Sequence, residues 1–268
     1  EKGIHTLVKF FNVTTAKDLA GKGIQADLLL GNNVLAHVPD LNDFVAGIKI
    51  ALKPTGILTM EFPHLLQLIQ QGQFDTIYHE HFSYFSCLTV EKIFAYHGLT
   101  LFDVEELPTH GGSLRIYVRQ RENEALAVTE AVGKLKAQEI RSELDKITTY
   151  LDFSERIKTI KRKLLTFLIE AKNQGKSVVG YGAPAKGNTL LNYCGIRTDL
   201  LEYTVDRSPH KQGLFLPGTH IPVAHPDKIR ETKPDYLLIL PWNIKTEIIE
   251  QMSYIKFVIP IPEVKIYD

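Results

Sequence analysis

The chain has 268 residues, 44% of them hydrophobic and 23% charged, with 31 lysines and arginines against 31 aspartates and glutamates. That balance argues against a protein that holds nucleic acid through its phosphates, which draws on clustered positive charge, but leaves room for a basic pocket around one small anion. Two cysteines, Cys87 and Cys194, are too few for a disulfide framework or a four-cysteine zinc site and read as buried thiols of a cytoplasmic protein. No apolar run of about 18 residues suggests a membrane span.

In chain order, "ADLLLGNNVL" (26–35) reads as a buried strand running into a loop, and "DLNDFVAGIKIAL" (40–52) has helical spacing behind Asp40 or Asn42 as cap. "KPTG" (53–56) reads as a turn and "ILTMEF" (57–62) as the next strand, a βαβ unit that implies parallel pairing. A helix is predicted over 86–97, capped by Ser86 or Thr89. The strands "LTLFDVEEL" and "GSLRIYVRQ" follow, around the loop "PTHGG" (108–112). From 123 to 174 the pattern is helical and charged and reads as a connector. From 175 to 268 short apolar runs alternate with helical stretches, the pattern of a small Rossmann-like α/β domain.

Three motifs carry chemistry. Gly180 and Gly182 follow the strand "SVV" and Gly187 opens the next helix, where small residues let backbone N–H groups approach a phosphate. Lys186 could add a point charge, and Asp206 stands where a ribose-binding acid is expected, although a GxG turn alone is a weak signal and can be purely structural. In "THGGSLRIYV", Ser113 and Arg115 alternate on one strand face beside His110; a planar guanidinium suits phosphate or carboxylate, and a plain hairpin with a surface arginine explains the pattern equally well. In "IYHEHFSYF" (77–85), extended backbone would put Tyr78 and Glu80 on one face and His79 and His81 on the other, whereas a helical turn would bring Tyr78 near His81. Imidazole titrates near neutrality and is the natural proton acceptor there. A zinc site using His79, His81 and His64 is the weaker alternative, and histidines of the surface or core are the plain one.

Taken in order, "GNNVLAHVPDL", "LKPTGIL", "YHEHFSYFS", "LPTHGGSLR", "VVGYGAPAKGNTLLNYCG" and "LPGTHIPV" resemble the sugar-nucleotide C-methyltransferases, class I S-adenosylmethionine enzymes with a C-terminal C-methyltransferase domain. The resemblance covers nearly the whole chain. It implies an α/β fold: a partial Rossmann-like methyltransferase domain over 1–122, a helical connector over 123–174, and a second small Rossmann-like domain over 175–268 that helps bind the nucleotide sugar. It also implies that the glycine-rich S-adenosylmethionine loop, its ribose acid and a zinc-binding domain precede Glu1, so that the chain is expected to be an N-terminally truncated piece, inactive by itself, with an incomplete cofactor site and no metal of its own.

The implied reaction moves a methyl group from S-adenosylmethionine to the carbon next to the keto group of a dTDP-linked deoxy sugar, through an enolate. The resemblance assigns His81 as the base, Glu80 and Tyr78 as its helpers, and His37 near the reacting centre. Asn32 and Asn33 would face the cofactor, and His110, Gly111, Ser113, Arg115, Gly182 and Lys186 would contact the nucleotide sugar. The partner is then the nucleotide sugar, with no nucleic acid or membrane, and the oligomeric state is open. Two other functions compete: an NAD-dependent oxidoreductase using the Gly180 turn and Asp206, and a non-catalytic nucleotide-binding module.

Overall fold

Residues 3–252 and 255–267 are described by a computed structural model. They fall into two units that exchange a segment: Glu1–Gln67 with Glu80–Lys146 form the first, and Leu68–His79 with Ile147–Asp268 the second.

In the first unit, α1 (Val13–Gly21) starts where Asn12 Oδ1 accepts the Thr15 N–H at 2.8 Å. The strand β1 (Ala26–Asn32) leads through the short 3-10 turn Leu35–His37 to α2 (Leu41–Ala51), whose first turn is capped by Asp40 accepting the Asp43 N–H at 3.0 Å. A carboxylate there satisfies an N–H that the helix cannot. The next strand, β2 (Leu52–Pro63), lies parallel to β1, as a βαβ unit requires. After α3 (Leu65–Gln70), within which the chain leaves the first unit, come α4 (Cys87–Tyr96), β3 (Leu99–Leu107), β4 (Ser113–Gln120) and α5 (Glu130–Arg141). The pair β3 and β4 is the expected antiparallel hairpin. Because β4 also runs antiparallel to β2, the sheet order is β1-β2-β4-β3. Phe62, Phe94, Leu99, Leu114 and Ile116 fill the core beneath it.

Two expectations are corrected here. The stretch "KPTG" is not a turn ahead of a strand. It lies inside β2, where the register jumps from Ala26↔Leu52 to Leu28↔Ile57 and the surplus residues bulge out. The apolar run of β1 is not buried either: Leu28 is 57% and Leu30 66% exposed. Both share one face of an edge strand, and no described element of the first unit covers that face.

The second unit opens with the 27-residue α6 (Ile147–Asn173), whose Ile157, Ile160, Leu164, Leu168 and Ala171 form a buried stripe at helical spacing. Next come β5 (Val178–Tyr181), α7 (Ala185–Cys194), β6 (Thr204–Val205), β7 (Val223–Ala224), α8 (Lys228–Thr232), β8 (Tyr236–Ile239), α9 (Lys245–Ile249), β9 (Lys256–Ile259) and β10 (Lys265–Tyr267). The six strands lie in the order β7-β6-β5-β8-β9-β10, all parallel except β10. That order winds outward in both directions from the β5/β8 pair, which is the Rossmann-like arrangement, and it leaves a crevice beyond the carboxyl ends of those two strands. The exchanged segment contributes Phe74, whose ring stands 5.1 Å from that of Tyr193 on α7.

Cys87 and Cys194 are free and buried, one in each unit. Burial pushes each thiol up to about 12, so neither offers thiolate near neutral pH. Native protein is therefore expected to resist an aromatic disulfide reagent at pH 8 and to release two equivalents of thiol only in denaturant. Rapid native labelling would contradict the packing described.

Candidate functional site

The segment "YHEHFSYF" forms a turn over Tyr78–Glu80 and then irregular chain to Tyr84. Tyr78 and His79 belong to the second unit; Glu80, His81 and the rest to the first. Within the first unit, the Phe82 N–H donates to Ala36 O at 2.8 Å, and Ser83 N–H to the same oxygen at 3.4 Å. This backbone tie brings His81 to the 3-10 turn after β1. There its ring meets that of His37 edge-on, centroids 4.8 Å apart, with the Tyr84 ring 6.0 Å away on an 81° tilt. His37 is exposed and His81 half-buried. Histidines 44 residues apart in sequence are thus neighbours at the carboxyl end of a parallel strand.

A second group gathers at the ends of β1 and β2. Asn32 pairs with Glu61 across the ladder, and Asn33, at φ 53°, donates its N–H to Glu61 O at 2.7 Å. Its amide Nδ2 lies 3.4 Å from His110 Nε2. His110 itself takes φ 56° in the turn between β3 and β4, next to Gly111. Glu61 was not singled out from sequence, yet it organises this corner. Thr109 Oγ1 donates to it at 2.8 Å and Arg115 at 2.9 Å, while Arg115 also donates to Glu105 at 3.2 Å. Burial opposes ionisation of Glu61, but the Thr109 and Arg115 hydrogen bonds outweigh it and hold the carboxyl below its usual range. Ser113, buried, donates to Thr109 O at 3.2 Å and braces the turn. The signal for Glu61 in the sequence was an acid next to the end of the strand "ILTMEF".

In the second unit, the glycine-rich turn lies at the crevice between β5 and β8. Gly182 has φ +88°, and a Cβ there would sit 2.6 Å from Pro241 Cδ; a Cβ on Gly187 would sit 2.7 Å from Leu240. The first glycine permits the turn, and the second lets α7 pack against β8. A cavity of about 250 Å³ opens beside them, lined among others by Gly182, Asp206, Arg207, Lys211 and Pro241. Asp206 is committed to backbone: it accepts the Ala183 N–H at 2.7 Å and the Ser208 N–H at 2.8 Å.

Lys186 turns away from open solvent. Its Nζ donates to Asn243 Oδ1 at 2.8 Å and stands 4.9 Å above the Trp242 ring; burial lowers its ammonium, and the negative charge of Asp75 opposes that shift. Among the described residues, no three histidine, cysteine or acidic side chains gather as a metal site, and no helix is long and apolar enough to cross a membrane.

Residues 108–262 match the family described as the C-methyltransferase C-terminal domain. The chain is 33% identical over 271 aligned residues to the C-methyltransferase NovU of Streptomyces niveus, covering 99% of this chain and 64% of that protein's length. Among solved structures, the 1,6-didemethyltoxoflavin-N1-methyltransferase of Burkholderia thailandensis, with bound S-adenosylhomocysteine, is 19% identical at a TM-score of 0.28 over 35% of this chain and 43% of that one. An O-methyltransferase family protein of the same organism is 17% identical at a TM-score of 0.29, covering 41% of this chain and 34% of that one.

Proposed function

The chain belongs to the C-methyltransferase family defined by that C-terminal domain, and from this premise we propose that it serves methyl transfer from S-adenosylmethionine to the carbon next to the keto group of a nucleotide-linked, dTDP-type deoxy sugar. The observation that carries the proposal is the His37–His81 pair beside the ends of β1 and β2. It supplies imidazole where such a reaction needs a base.

A 4-keto group acidifies the neighbouring C–H. His81 takes that proton, the electron pair moves toward the keto oxygen to give an enolate, and the carbon then forms its bond to the incoming methyl. S-adenosylmethionine supplies the methyl on a sulfonium, which leaves as the neutral thioether. His37 holds the His81 ring or passes its proton to solvent, and Tyr78 and Glu80 orient the sugar. The exposed amides of Asn32 and Asn33 at the carboxyl end of β1 suit one wall of a cofactor site. No glycine-rich strand-to-helix turn stands beside β1 among the described residues of this unit. In the second unit, Gly182 and the exposed Arg207 and Lys211 line a crevice that suits a nucleotide diphosphate. In the first unit, His110 and Gly111 are kept as sugar-nucleotide contacts, on a turn that Arg115 and Ser113 support through Glu61 and Thr109. A nucleotide-sugar-binding role for the domain from 175 onward belongs to the same proposal.

The test needs no methyl donor. The protein is incubated in deuterium oxide with a dTDP-linked 4-keto deoxy sugar, and the sugar's mass is followed. Uptake of one deuterium next to the keto group, well above the protein-free rate, is expected. A sugar nucleotide that raises the melting temperature, and so binds, but gains no deuterium would refute the acid–base proposal. No melting shift with dTDP or the sugar nucleotide would refute the substrate class.

A further inference from the structure

Asp75 lies in the exchanged segment, in the 3-10 turn Phe74–Thr76, and is 0% exposed. Its Oδ2 accepts the Trp242 Nε1–H at 2.6 Å, whereas Oδ1 is buried and has no hydrogen-bond partner. Trp242 follows Pro241, which lines the crevice, and carries Lys186 over its ring. A buried carboxyl with one unmet oxygen is costly, so its retention calls for an explanation. The turn it anchors ends at Thr76, two residues before Tyr78.

We propose that Asp75 is a positioning residue: bonded to Trp242 and facing Lys186, it clamps the Phe74–Thr76 turn and thereby sets where Tyr78 stands. All four residues belong to the second unit. The clamp is also titratable. Burial raises the Asp75 carboxyl from 3.8 to about 6; the Trp242 hydrogen bond and the Lys186 charge pull against that rise. Lys186 from α7 is the charged group set against it, and Trp242 the polar one. Because the folded state holds the proton more tightly, this residue's contribution to stability is fully present below pH 3.8 and is lost as pH rises through about 6. The catalytic half of the inference rests on the proposed role of Tyr78; the clamp itself does not.

Trp242 is the chain's single tryptophan, so intrinsic fluorescence reads the clamp directly. Between pH 4.5 and 8 one transition is expected, centred near 6. It should vanish in Asp75→Asn and move to higher pH in Lys186→Met, where the cation favouring the carboxylate is gone. A transition that persists in Asp75→Asn, or one that Lys186→Met leaves in place, overturns the clamp. Should Asp75→Asn fail to fold, Lys186→Met carries the test.

The positioning role is then read in the deuterium-uptake assay. Asp75→Asn should lower kcat by roughly tenfold with KM little changed, as expected when a group that orients the bound sugar is misplaced and the binding energy is kept. In a Tyr78→Phe background the same substitution should cost less than about twofold, because the two residues act as a unit. An equal loss in both backgrounds means that Asp75 does not act through Tyr78. A Tyr78→Phe protein of normal rate with the fluorescence transition intact removes Tyr78 from the reaction, and the catalytic half falls with it.

Discussion

His81→Ala is expected to cut deuterium uptake from solvent into the keto sugar by about 10²–10⁴-fold, the usual loss when a general base is removed. The substitution should leave the fold intact. What holds this stretch beside the 3-10 turn is backbone: the Phe82 and Ser83 N–H groups donate to Ala36 O whatever stands at position 81. His81 is half-buried, and its ring meets those of His37 and Tyr84. A loss of rate with the melting temperature held within a few degrees would therefore point to chemistry. A variant within tenfold of wild type would move the base elsewhere, with His37 next in line because its ring is 4.8 Å away. His37→Ala should cost less than His81→Ala, since the proposal gives it a supporting role.

The largest effect on stability is expected at Glu139. This α5 residue is 0% exposed. Its Oε1 accepts the Cys87 N–H at 2.7 Å and lies 2.8 Å from His64 Nε2, and its Oε2 accepts the Leu88 N–H at 2.9 Å. Two N–H groups that open α4 and cannot be satisfied within that helix are thus met by an acid from another helix, at the end where a helix favours negative charge. Glu139→Ala leaves a buried N–H, a half-buried N–H and a buried imidazole without this partner. Losses of this kind run to about 3–5 kcal/mol, or on the order of 10 °C in a domain of this size. Glu139→Gln keeps one acceptor and should fall between. Urea unfolding followed by circular dichroism measures both. An alanine variant within about 1 kcal/mol of wild type would show that α4 does not depend on this acid.

Glu139 also illustrates what the sequence conceals. It sits in "KLKAQEIRSELDK", a charged helical stretch that reads as solvated, and periodicity cannot tell which one acid of that run turns inward to cap a distant helix. The doubly wound tail was legible because its longer strands are short apolar runs and because α7 starts behind Pro184 and α8 behind Asp227. Even so, the two-residue β7 and the late β10 are too short to announce themselves by pattern. The β1–α2–β2 unit was legible for the same reason. Its bulge was not, because lysine, proline, threonine and glycine are turn residues wherever they occur, and only pairing with β1 keeps them in the strand. At the site, clustered histidines drew attention to residues 79–81. The neighbourhood of His37 and His81, the role of Glu61 and the Asp75–Trp242 bond all arise from contacts between residues far apart in the chain, which a reading of local pattern cannot reach.

The exchanged segment has a consequence in time. Asp75 and Trp242 are separated by 167 residues. A ribosome adding roughly 5–20 residues per second needs on the order of 10–30 s to cover that distance. Throughout that interval Phe74 and Asp75 have been made and their docking site has not. The first unit ends at Lys146 and can condense around its own sheet while the segment, apolar and acidic at once, waits for Tyr193 and then Trp242 of the second.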